Sequence, residues 1–174
     1  MLLIRPAHSA DSSPIDSPDL GRDDQASVWA MLEPVIRDAE VFALPAGMDR
    51  ASALAYWFAP EHTVFLAEED GAPVGSYYIQ PNQCGGGSHV ANCGYLTAPP
   101  AAGRGIAGAM CVHSIDYARS SGYRAIQFNF VVSSNAAAIH LWTKHGFVVL
   151  ARLPGAFHHP KLGFVDALVM HRKL

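Results

Sequence analysis

Apolar residues recur along this chain with two periods, and the changes from one to the other mark out its elements. Alternating or continuous apolar runs predict strands at residues 2–7, 62–68, 73–80, 89–97, 124–132, 147–153 and 164–171. Over residues 23–43 the period lengthens: Val28, Met31, Leu32, Val35, Ile36 and Ala39 follow helical spacing, with Pro34 expected to kink or split the segment. Asp49 caps a short helix that runs to Phe58, and two further helices are expected at residues 103–121 and 135–145. Glu69-Asp70-Gly71-Ala72 is the best hairpin turn, and the two strands it joins are expected at the centre of the sheet. Residues 9–21, rich in Ser, Asp and Pro, read as a flexible loop, and residues 83–87 (Gln-Cys-Gly-Gly-Gly) as a mobile one whose glycines allow a lid or simply a free turn. This interleaving of strands and helices predicts a mixed α/β fold in one domain, residues 1–174.

Composition narrows the function classes. Half of the 174 residues are hydrophobic, enough for a sizeable core, and a net charge of −3 without any run of Lys or Arg argues against nucleic acid and against an anionic membrane as partners. Only four apolar residues precede Arg5, too few for an export signal, and no apolar run has the length of a membrane span, so a soluble cytoplasmic protein is expected. Three cysteines, Cys84, Cys93 and Cys111, read as free thiols. Cys84, His89, Cys93 and His113 lack the paired spacing of a tetrahedral site, so no metal is expected, and His158-His159 reads as a polar loop tip.

Two segments carry chemistry. The first, Ala101-Ala102-Gly103-Arg104-Gly105-Ile106-Ala107-Gly108, follows a strand and opens a helix. Without β-carbons, Gly103 and Gly105 admit a phosphate close to the backbone, the helix start offers free N–H groups and the positive end of its dipole, and Arg104 adds a permanent cation. A tight turn explains the same residues. The second segment runs from Phe128-Asn129 to Gly146-Phe147: a strand, then a helix with Asn135 at its N-cap, Ile139 and Trp142 on one face and Gly146 as its stop. Each piece again has a structural explanation.

Together the segments resemble the GNAT superfamily of N-acetyltransferases. The family's Arg/Gln-x-x-Gly-x-Gly/Ala motif falls on Ala102, Gly105 and Ala107, and its Asn-to-Gly-Phe helix on residues 135–147, in the family's order. The likeness covers residues 74–153 well. It implies a central, mostly antiparallel sheet of six to seven strands with one splayed pair, flanked by about four helices. It also implies acetyl-coenzyme A as cosubstrate, bound by Leu96 and Thr97 at a strand end, by Ala102, Gly103, Arg104, Gly105, Ile106, Ala107 and Gly108 at the turn, and by Asn135 and Trp142. The resemblance also implies a homodimer, since many relatives are dimers. Pro99 and Pro100, which donate no hydrogen bonds, suit a strand that leaves its neighbour, or merely end it.

A narrower likeness links Tyr78 to Asn82, Ser88 to Leu96, Phe128-Asn129 and Asn135 to the fungal acetyltransferases that detoxify proline analogues such as azetidine-2-carboxylate. It implies an acceptor site of Asn92, Asn129 and Tyr95, with Asn129 donating to a carboxylate and Asn92 accepting from the ring N–H. Asparagine forms strands poorly, so the alternative is that each amide serves a bulge or a neighbouring backbone group. Two departures from the family stand out. Ala102 replaces the usual Arg or Gln, removing a side-chain contact near the pyrophosphate, and Trp142 replaces a tyrosine thought to protonate the leaving thiolate, a task for which an indole N–H is no acid. Water or Tyr95 then remain as acids, and His89 is the best titratable base at neutral pH, unless it is only a polar strand start. The expected function is acetyl transfer to a small amine, with a cyclic secondary amino acid set against a peptide N-terminus, a polyamine or an antibiotic, and against a non-catalytic acyl-coenzyme A sensor.

Overall fold

The computed structural model describes residues 1–7 and 24–174, so the loop expected at residues 9–21 lies outside the described residues. Seven strands, β1 (Leu2–Pro6), β2 (Thr63–Glu69), β3 (Ala72–Pro81), β4 (Val90–Thr97), β5 (Ala125–Val132), β6 (Val148–His159) and β7 (Gly163–Lys173), form one sheet in the order β1-β2-β3-β4-β5-β7-β6. Four α-helices, α1 (Asp24–Asp38), α2 (Arg50–Trp57), α3 (Ile106–Ser120) and α4 (Ala136–Lys144), cover it, with single 3₁₀ turns at Gly85–Gly87 and Pro99–Ala101. Among the described residues no helix is long and apolar enough to cross a membrane.

Strand alternation sends side chains to two cores. Val64, Leu66, Tyr78 and Leu96 pack with Val28, Leu32 and Ile36 of α1 and Trp57 of α2, while Phe65, Tyr77, Cys93, Ile126 and Phe128 pack with Met110, Cys111 and Ile115 of α3 and Trp142 of α4. A sheet buried on both faces explains the nearly continuous apolar runs of β2 and β3. The hairpin turn between them is as expected: Asp70 (φ 51°) and Gly71 (φ 82°) are both left-handed, as a two-residue I′ turn requires.

Five expectations need correction. The sheet's centre is β4 rather than β2 and β3, because β5 adds beyond β4 through the α3 crossover and the β6–β7 hairpin adds beyond β5. Pro34 does not split α1: the burial of Val28, Met31, Leu32 and Ile36 on the sheet outweighs the one missing backbone bond. That helix stops at Asp38 rather than near residue 43, since Ala39 is left-handed (φ 50°), and Phe42 instead meets Trp57 edge-on at 6.2 Å. The strand expected at residues 147–153 does not end there: β6 continues through Pro154-Gly155, its register shifting between Leu153 and Phe157 while the Gly155 N–H donates to Asp166 Oδ1 at 2.9 Å. His158 and His159 accordingly lie on the strand, with His159 buried.

Among the described strands only β4 and β5 run parallel, and they pair at just two positions, Val90 with Ala125 and Ala91 with Ile126. Beyond these the strands part. On the other side of β4, Gly94 lies opposite Tyr78, whose ring covers it and stacks on His62 at 4.0 Å. A β-carbon at Gly94 would stand 2.7 Å from Tyr78 Cζ and 2.8 Å from its hydroxyl. Gly94→Ala should therefore lower stability by about 1–3 kcal/mol in urea denaturation, and by less in a Tyr78→Leu background; equal losses in both backgrounds would refute this packing.

Candidate active site

The parting of β4 and β5 opens a cavity of about 330 Å³, within the range of small-molecule sites. Asn92, Tyr95, Asn129, Asn135 and Trp142 all line it, so the structure gathers five of the residues expected from sequence around one space. Tyr78 and residues 41–44, the connection between α1 and α2, complete the wall. Three rings hold the strands apart: Tyr95 of β4 and Phe128 of β5 each lie against Trp142 of α4, at 4.8 and 4.9 Å between centroids.

Asn92 stands where pairing stops. Its Nδ2 donates to Gln127 O at 2.9 Å, so the side chain substitutes for a ladder bond, as the structural alternative foresaw, and Oδ1 stays available. Asn129 occupies a bulge, for the register of β5 against β7 shifts between Phe128 and Val131 and leaves Asn129 and Phe130 exposed. Gln127 Nε2 donates to Asn129 Oδ1 at 2.8 Å, and Asn129 Nδ2 donates to Asn82 Oδ1 at 2.6 Å. Asn135 caps α4, its Oδ1 accepting from Ala138 N at 3.1 Å.

Tyr95 proves a poor proton source. Ser114 Oγ gives its proton to Cys111 O (2.8 Å), so the Tyr95 hydroxyl, 2.7 Å from Ser114 Oγ, must donate there. Burial pushes its pKa well up, as burial does for Tyr78, and holds the Cys93 thiol up at about 12. His89 is also unsuited to the role expected of it: it is exposed at the joined end of β4, where its carbonyl accepts from Arg124 N at 2.8 Å, and it does not line the cavity. Among the described residues that line the cavity, none carries a formal charge.

The glycine turn is built as expected. Gly103 (φ 75°) and Gly105 (φ 83°) are left-handed, and a β-carbon on either would meet only open space. The N–H groups of Gly105, Ile106, Ala107 and Gly108 make no backbone hydrogen bond among the described residues; the first bond of α3 is Ala109 N to Gly105 O at 3.0 Å. These four donors at the positive end of a 15-residue helix fit a pyrophosphate. Ile106 contributes its backbone alone, its side chain being in the core, and Ala102 is exposed. Arg104 is paired with Glu69 at the end of β2, a partner that nothing in the local sequence announces.

Leu96 and Thr97 divide. Asn82 N donates to Val90 O and Ala98 N to Val74 O, so even-numbered residues of β4 direct their backbone groups to β3. Thr97, with Cys93 and Tyr95, therefore turns its N–H and C=O toward the gap, whereas those of Leu96 face β3. Asn82, Gln127 and Glu69 are polar residues to which sequence reasoning gave no part in the site. An amide two positions before Asn129 was the available signal for Gln127.

The acetyltransferase (GNAT) family model matches residues 29–147. The fold superposes on a GCN5-related N-acetyltransferase from Kribbella flavida with a TM-score of 0.88 and 34% identity, covering 99% of this chain and 98% of that one. It also superposes on yncA from Salmonella typhimurium, solved with its cofactor acetyl-CoA, with a TM-score of 0.80 at 22% identity over 100% and 94% of the two chains, a likeness of fold. A curated relative, N-acetyltransferase aca1 of Schizosaccharomyces pombe, is 33% identical over 102 residues. That match takes in 55% of this chain and 46% of the relative, so the chain spans about half the length of the curated relative it matches. With the family match extending over the glycine turn, the parted strands and the Asn135-capped helix, the chain belongs to the acetyltransferase (GNAT) family, whose acetyl donor is acetyl-coenzyme A.

Proposed function

We propose that this protein transfers an acetyl group from acetyl-coenzyme A to a small amine that carries its own carboxylate, a cyclic secondary amino acid being the acceptor that fits best. One observation carries this reading: the cavity at the parted strands presents carboxamides and rings, and no charged side chain among the described lining residues. A polyamine or an aminoglycoside brings several ammonium groups, which need facing carboxylates when desolvated. An amino acid brings a single amine, which is neutral when it attacks, and a carboxylate that needs only N–H donors. The narrower sequence likeness to proline-analogue acetyltransferases supports the same class.

The contacts support the following roles. Asn129 donates an N–H to the acceptor carboxylate, and Asn92, whose Nδ2 is engaged with Gln127, accepts the amine N–H at Oδ1 and so aims the nitrogen lone pair. The amine nitrogen bonds to the thioester carbonyl carbon, the carbon–sulfur bond breaks, the nitrogen's surplus proton passes to water, and the departing thiolate takes a proton from water. Thr97 and Tyr95 offer backbone groups to the pantetheine arm. Gly105 to Gly108 N–H groups hold the pyrophosphate, and Arg104 exchanges Glu69 for it.

Thiol release should accordingly occur with azetidine-2-carboxylate or L-proline and not with spermidine or a short peptide; turnover with spermidine alone would overturn the acceptor class. Tyr78, Tyr95 and Cys93 have raised pKa values, so they stay protonated and neutral below them and add no inflection near neutrality. The logarithm of kcat/KM should then climb with a slope near one between about pH 6 and 9, following deprotonation of the acceptor amine. A plateau beginning near pH 7 would instead reveal a base on the protein.

At the turn, Gly105→Val places a β-branched residue at φ 83° and should raise the Kd of coenzyme A by about tenfold in calorimetry. Glu69→Gln, by releasing Arg104, should tighten it by about two- to fivefold; no change in either variant would remove this turn from the donor site.

A further inference from the structure

The bulge that turns Asn129 toward the cavity also deprives it of a partner in the β7 register. The last torsion of an asparagine is broad and two-fold, so without other restraint its carboxamide turns over and exchanges N–H donors for a carbonyl oxygen. A carboxylate only accepts hydrogen bonds. One setting attracts it, and the other repels it.

Two hydrogen bonds distinguish the settings. Gln127 Nε2 donates to Asn129 Oδ1 at 2.8 Å, and Asn129 Nδ2 donates to Asn82 Oδ1 at 2.6 Å. Donation therefore runs in one direction, from Gln127 through Asn129 to Asn82, and leaves the second N–H of Asn129 for a ligand. Asn82 belongs to neither parted strand. It follows the end of β3, its own N–H donates to Val90 O at 2.7 Å, and its side chain reaches past β4, the strand that lies between β3 and β5. It does not line the cavity.

We infer that Asn82 is a positioning residue for the acceptor site, fixing which end of the Asn129 carboxamide faces the bound carboxylate and so linking the β3–β4 loop to acceptor binding. This rests on the reading that Asn129 meets that carboxylate. An Asn82→Ala variant leaves the cavity lining and the glycine turn intact and removes only the far anchor. Azetidine-2-carboxylate is the probe, with steady-state kinetics of Asn82→Ala, Asn129→Ala and the double variant, coenzyme A affinity by calorimetry, and the side-chain amide resonances of Asn129 by NMR.

Asn82→Ala should raise the acceptor KM by about tenfold, leave kcat and coenzyme A affinity within about twofold, shift the Asn129 side-chain resonances, and add nothing in the Asn129→Ala background. An unchanged KM, or an equal rise with Asn129 already replaced, overturns the inference while leaving the acceptor site standing. Unmoved Asn129 resonances in Asn82→Ala overturn it without recourse to an acceptor. If Asn129→Ala itself leaves acceptor KM and kcat unchanged, the acceptor-site reading falls and this inference with it.

Discussion

A parallel strand pair that bonds at only two positions is the constraint on which the site depends. Once β4 and β5 part, the N–H and C=O groups of Cys93, Tyr95 and Thr97 point into a gap. Unpaired backbone groups out of reach of water cost about 1–3 kcal/mol each, so such an opening persists only if something prevents the strands from zipping together. Here the obstruction is aromatic. Tyr95 and Phe128, one from each strand, are held against Trp142 from α4, and Phe128 is further stacked on Phe147 at 4.4 Å. Asn92 closes the base of the gap with a side-chain hydrogen bond. The groups left facing the gap are thereby placed to serve as donors and acceptors in the proposed site.

The two ends of the site differ electrostatically, as their tasks require. At the turn, four N–H groups without a backbone partner among the described residues, a helix dipole and Arg104 give a positive end that suits an anionic group, tempered by Glu69. Around the cavity, polarity comes from amides, and burial keeps the phenols and the thiol protonated. Trp142, where the family resemblance implies a tyrosine, fits this neutrality: the ring lies against Tyr95 and Phe128, and an indole N–H is no acid, so the proposed reaction exchanges its protons with water. The leaving thiolate, with an ordinary pKa near about 8.5, is weakly basic enough to tolerate that.

Much of the fold was legible because it rests on local patterns. Alternation located the strands, Asp70-Gly71 fixed a hairpin through its left-handed torsions, and Asn135 and Gly146 bounded α4 by capping chemistry. The glycine turn was legible for the same reason: positive φ at Gly103 and Gly105 is a property of one residue at a time. Where local rules were outvoted, reading failed. Pro34 sits inside α1 because the sheet holds the helix's apolar face, and β6 passes Pro154-Gly155 because β7 and Asp166 hold it from outside.

Within the site, residue types came from the sequence and their assignments from tertiary structure. Asn92, Asn129, Tyr95, Asn135 and Trp142 could be named in advance, since polar and aromatic residues in strands and at a helix start follow a family pattern. That Thr97 rather than Leu96 faces the gap depends on the parity of β3–β4 pairing, and that His89 is remote depends on which end of β4 is joined. Asn82 and Glu69, 47 and 35 positions from their partners Asn129 and Arg104, were invisible for the same reason. The sequence by itself determined where the chain turns, which stretches become strand or helix and which chemistry is available. Only the folded sheet, through register and strand order, decided which of those groups meet, because hydrogen-bond partners in a sheet are chosen by pairing geometry and not by distance along the chain.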